Sequence, residues 1–136
     1  MLWPEYSEDP QRYDIVSKWA LDVLRPLNIT KVYLEGYAFN AVGRVFQIAE
    51  NTGILKYKLW QEGIACTVVP PTVIKKFATD KGNANKELLE KKFEEETCTR
   101  LRETLKLTSK QWNPSSDIID SYYICKYGVN HGKEKQ

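Results

Sequence analysis

Histidine is almost missing from this 136-residue chain: there is one, His131, in a polar stretch near the end. That argues against histidine-rich metal sites and serine–histidine triads, so hydrolytic chemistry falls to carboxylates. The three cysteines, Cys66, Cys98 and Cys125, are odd in number and far apart. They make neither a disulfide framework nor a zinc spacing, and a reducing, cytoplasmic setting is the expectation. No apolar run approaches the ~20 residues that cross a bilayer, so no membrane is expected. The start, "MLWPEYSEDPQRY", is acidic and aromatic where a signal peptide is basic and then apolar. Nor is there a large charge of one sign. The net is +2, which does not indicate a globally basic nucleic-acid binder. Internal repeats, low-complexity tracts and a phosphate-loop motif are all absent.

What is present suits one globular domain over residues 1–136, with 129–136 as a frayed tail. Hydrophobic residues make up 42% and charged residues 28%. Asp9 and Pro10 signal a helix start, and Val16, Trp19, Ala20, Val23, Leu24 and Leu27 follow at helical spacing. A helix over about 10–25 is predicted. Residues 31–37, "KVYLEGY", read as a strand covered on both faces, as in a parallel sheet. Helical spacing returns through Val42, Val45, Phe46 and Ala49, with Gly53 breaking or bending the helix and Gly63 ending its continuation. "IACTVV" (64–69) is a second strand, and "PPTVIKKF" starts a short helix at about 71. A long amphipathic helix is predicted over about 84–106. A last one, over about 116–127, is opened by Ser115 or Ser116 and ended by Gly128.

This order is α/β. It holds only two convincing strands, whereas a stable sheet normally has three or more. The expectation is a domain whose opening strands are absent from this chain.

Carboxylates carry the functional signal. Glu35 stands at the carboxyl end of the first strand, where open parallel sheets bind ligands. Asp117 and Asp120 are three apart in the last helix, so they share a face with β-carbons about 5–6 Å apart. Two like charges at that spacing favour a cation between them, and Mg²⁺ takes one or two carboxylates plus substrate phosphate. The plainer reading of Asp117 is an acid in a first helical turn, favoured by the helix dipole. For Glu35 it is a strand end that reaches solvent. Asp120 is harder to explain away, since it sits among isoleucines one turn further in. Residues 73–86 hold four lysines, Lys75, Lys76, Lys81 and Lys86, against one aspartate. They form a candidate phosphate-contacting surface, with Gly82 allowing close backbone approach. The plainer alternative is a solvated lysine-rich loop.

Three stretches in order, "VYLEGYAFNAVGRVFQIAENTGILKYKL", "VVPPTVIKKFATDKGNANKELL" and "SSDIIDSYYICKYG", resemble RuvC-type Holliday junction resolvases, phage members especially. The resemblance covers about residues 9–128. It is most specific at Pro71, Lys75, Lys76, Thr79, Gly82, Ala84 and Lys86. It implies an RNase H-like fold, a homodimer, and symmetric cutting of four-way DNA junctions with two Mg²⁺ or Mn²⁺ ions. Glu35, Asp117 and Asp120 match the family's metal-holding acids. Lys75, Lys76 and Lys86 match its basic residues near the scissile phosphate or junction arms, and Lys81 joins them as a DNA-binding candidate. Tyr37 or Phe39 matches an aromatic near the junction's centre. The family's first acid, an aspartate in a "GIDPS"-like motif on the first strand, has no counterpart here. The chain begins where the family's first helix begins. Two rival readings are a branched-DNA binder without catalysis and an RNase H-like nuclease acting on other branched DNA.

Overall fold

A computed structural model describes residues 9–36 and 45–132. The chain divides after Val68 into two compact units, residues 1–68 and 69–136.

In the first unit, α1 (Asp9–Leu24) runs into a one-turn 3₁₀ helix, Arg25–Leu27. Strand β1 (Lys31–Glu35), helix α2 (Val45–Gln61) and strand β2 (Ala65–Val69) follow. The strands form a two-stranded parallel sheet. The buried stripe of α1 is Tyr13, Ser17 and Leu21, each four residues after the last. Trp19, Val23 and Leu27, expected to face the core, are exposed. The reason is local: Ser17 is fully buried and turns its hydroxyl back to the Tyr13 carbonyl, 2.7 Å away. A polar residue thus takes a buried position on α1, its hydroxyl satisfied within the helix, where the sequence pattern offered larger apolar ones. Lys58 of α2 crosses to Asp14 at 2.9 Å, and Lys18 reaches the same carboxylate at 2.8 Å. These two ammonium groups hold the Asp14 carboxyl below the usual range. Arg25 reaches Glu62 at 2.6 Å, tying the 3₁₀ turn to the end of α2.

Gly53 does not break α2, which is continuous from Val45 to Gln61. Gly63 ends it as expected, at φ 74°, a conformation that costs glycine little.

In the second unit, α3 (Pro71–Thr79), α4 (Lys86–Thr97), a short α5 (Leu101–Thr104) and α6 (Ser115–Gly132) follow. Helices α3, α4 and α6 pack on one another. Their core is Ile74, Ala84, Leu89, Phe93, Ile119, Tyr123 and Ile124. The predicted helix over 84–106 is cut in two. Cys98 takes a left-handed conformation, φ 55°, and its N–H donates to the Glu94 carbonyl at 2.9 Å, closing α4. Helix α6 runs past Gly128, which is buried, to Gly132, so residues 129–132 are helical.

Candidate active site

Four of the charged residues singled out above gather in the second unit. Helix α6 supplies Asp117 and Asp120. Its inner stripe, Ser115, Ile119 and Tyr123, is buried at i, i+4 spacing. That orientation leaves Asp117 exposed and puts Asp120 half-buried at the rim of the packed face. The first turn of α6 is fastened to the preceding loop. Ser115 Oγ donates to the Trp112 carbonyl at 2.6 Å, and the Ser116 amide donates to the same oxygen at 2.9 Å.

Helix α3 supplies Lys75, half-buried beside buried Ile74. The loop after it is held by Thr79, whose hydroxyl donates to the Lys75 carbonyl at 2.8 Å and accepts from the Lys81 amide at 3.2 Å. Asp80 closes α3 at φ 66°, its N–H donating to the Lys76 carbonyl. A β-carbon added at Gly82 would lie 3.6 Å from the Thr72 carbonyl oxygen, an ordinary contact. The fold of this unit therefore does not itself demand glycine there. Asn85 caps α4 by accepting from the Leu88 amide at 2.9 Å, which makes Lys86 the first residue of that helix.

The electrostatics connect these elements. Burial pushes the Asp120 carboxyl above the usual aspartate range, and the charge of Asp117 pushes it further. Lys75 and Lys86 pull it back down. Among the described residues no ion pair within 4.0 Å joins either lysine to Asp120. The ammonium groups act on this carboxylate through space and not by a direct ion pair. Lys76 and Lys81 are exposed on α3 and its following loop.

This donor set suits a hard divalent cation. Its ligands are oxygens, and two carboxylates three apart on one helix face suit such an ion. Burial is the main cause of the raised Asp120 carboxyl, with the Asp117 charge adding to it. Among the described residues no group of three or more His, Cys, Asp or Glu side chains gathers, so the described set is a pair of carboxylates. Glu35 belongs to the first unit, exposed at the end of β1. Tyr37 and Phe39 lie outside the described residues.

One feature of this unit had no local signal. Arg102 of α5 lies over the Trp112 ring, 3.7 Å from its centroid, and its Nε meets Glu90 of α4 at 2.9 Å. Its Nη1 donates to the Ser109 carbonyl at 3.1 Å. Arg102 therefore clamps the loop leading into α6 onto α4, one turn beyond Lys86. Three residues spread over 90–112 show no pattern that reading along the chain detects.

Helices around a small two-stranded parallel sheet make the chain α/β, and its RNase H-like fold is shown by its likeness to solved structures. Thermus thermophilus RuvC superposes with a TM-score of 0.69 at 15% identity, covering 97% of this chain and 76% of that one. T. thermophilus RuvC in complex with Holliday junction substrate gives 0.63 at 15% identity, covering 97% and 77%. No family model and no curated protein matches the sequence. At this identity the likeness establishes the fold. Among the described residues no helix is long and apolar enough to cross a membrane.

Proposed function

We propose that this chain is the core of a metal-dependent endonuclease that recognises four-way DNA junctions and hydrolyses a phosphodiester in them. One observation carries the reading: within a RuvC-like fold, Asp117 and Asp120 share a face of α6, and Lys75 and Lys86 bear on Asp120 from two other helices. A carboxylate pair flanked by cations that make no direct ion pair with Asp120 suits a site for a divalent ion beside a phosphate. Asp117 and Asp120 would hold Mg²⁺ or Mn²⁺, with Glu35 as a third carboxylate required for activity. When bound, the ion supplies charge neutralisation and an acidified water at the phosphodiester. Lys75 and Lys86 orient the scissile phosphate, and Lys76 and Lys81 neutralise flanking phosphates. T. thermophilus RuvC has been solved with Holliday junction substrate, and the same substrate class is proposed here. The phage affiliation and the cytoplasmic setting belong to the same proposal.

A second reading has its own support. A protein that binds branched DNA through its lysines without cutting it is the rival, since exposed Lys76 and Lys81 suit phosphate contact whether or not an ion is held. Incubating the chain with Mg²⁺ and four-way, flap and linear DNA separates the two. Cleavage of the junction by the wild type, lost in Glu35→Gln, supports the nuclease. Junction binding with no metal-dependent cleavage supports the binder. Equal cleavage by wild type and Glu35→Gln removes Glu35 from the mechanism.

A further inference from the structure

The loop between α5 and α6, residues 105–114, reads "LKLTSKQWNP" and has one aromatic side chain, Trp112. It carries charge of one sign. Between Glu103 and Asp117 the charged residues are Lys106 and Lys110, both exposed. Trp112 is half-buried and stands outside the packed core of the second unit.

The indole is held from two sides. Arg102 covers one face of the ring, its guanidinium carbon 3.7 Å from the centroid, and is itself fixed by Glu90 and the Ser109 carbonyl. The Trp112 carbonyl accepts from Ser115 Oγ and the Ser116 amide. These bonds fix the residue to the turn that opens α6, five positions before Asp117. The other face is unclaimed: among the described residues no aromatic ring stacks on Trp112. Its indole N–H has no hydrogen-bond partner among them and is not buried.

Fastening the loop accounts for the covered face of the indole. It does not account for an open face and a free N–H on a loop whose charges are all positive. Those are what a nucleic-acid strand uses, lysines for its phosphates and an aromatic ring for its bases. A ring already held in place loses little further freedom when a base stacks on it. Bases inside a duplex offer no face to a side chain, whereas a base left unpaired at a branch does. We propose that Trp112, backed by Arg102, stacks an unpaired base of branched DNA, with Lys106 and Lys110 on the adjoining phosphates. This subsite gives the protein a preference for branched over intact duplex DNA, and it involves neither Tyr37 nor Phe39. It rests on the DNA-binding part of the function proposed above and not on catalysis.

Equilibrium binding of the full chain to a four-way junction and to a linear duplex, with Ca²⁺ in place of Mg²⁺ to prevent turnover, tests it. Trp112→Leu, checked for folding by circular dichroism, weakens junction binding about tenfold or more and leaves duplex binding within about twofold. Trp112→Phe retains most of the affinity. The salt slope is the same in wild type and Trp112→Leu, because stacking releases no counterions. Junctions made abasic at one nucleotide at a time around the branch supply a readout that a structural role does not move. At one position the missing base weakens the wild type by the same factor and leaves Trp112→Leu unaffected. The wild type alone gives a second reading: its tryptophan emission is quenched by the intact junction, and less by the one abasic at that position. Equal losses on junction and duplex, or no abasic position that separates the two proteins, overturn the inference while the DNA-binding reading stands. A wild type that binds no branched DNA overturns both.

Discussion

Asp120 is the side chain on which the proposed site most depends. Its carboxyl is raised first by burial and then by Asp117, while Lys75 and Lys86 oppose both. The consequence for stability has a definite sign. The folded state keeps the Asp120 proton at pH values where the unfolded chain has released it. Stability therefore falls as pH rises from the ordinary aspartate value, about 4, through the raised one. Asp120→Asn removes that decline, and thermal melts of the two proteins from pH 4 to 8 show a flatter slope for the variant. Parallel slopes would show that Asp120 is not held in the way described. The spacing of Asp117 and Asp120 was legible in the sequence, because helical periodicity alone puts residues three apart on one face. The Arg102 clamp was not, because its partners Glu90, Ser109 and Trp112 come from separate segments. Removing it leaves Glu90 half-buried without its cation. Arg102→Ala is expected to cost about 1–3 kcal/mol in urea unfolding, and Arg102→Lys less. A cost within ±0.5 kcal/mol, the range of ordinary surface changes, would make the clamp incidental.

At the scale of elements, the order of helices and strands was readable, and the misjudged boundaries have specific causes. Leu101 and Leu105 continue the apolar spacing of α4 beyond its real end. The break is a left-handed Cys98, a conformation that glycine usually marks and cysteine does not announce. The opposite error occurred at Gly53, where a glycine sits inside a helix that continues. On α1 the buried face was displaced because Ser17, a polar residue, is fully buried with its hydroxyl satisfied by the Tyr13 carbonyl. Local capping can be tested directly. Asn85→Ala removes the acceptor for the Leu88 amide and is expected to destabilise by about 1 kcal/mol. Because Lys86 is the first residue of the helix so capped, DNA binding should weaken in the same variant. Unfolding curves unchanged from wild type would show that the cap contributes nothing.

For the whole molecule, the resemblance seen in three short stretches and the structural likeness to RuvC agree on the fold. That likeness arises at 15% identity, so it reflects architecture and leaves the chemistry to the residues of this chain. Four lysines between 75 and 86 set the expected electrostatics of DNA binding. If all four contact phosphate, affinity for a junction falls with salt at a log–log slope of about −3 to −4, and Lys86→Ala reduces its magnitude by about one. A slope near zero would place DNA elsewhere or exclude it. The acid pair is the central claim, and its most direct test does not depend on turnover. Mn²⁺ titrated into ¹⁵N-labelled protein should broaden the amide signals of residues 117–121 first, and Asp120→Asn should abolish that broadening. Broadening that begins instead at the acidic run 94–96, or is unchanged in Asp120→Asn, would contradict the account.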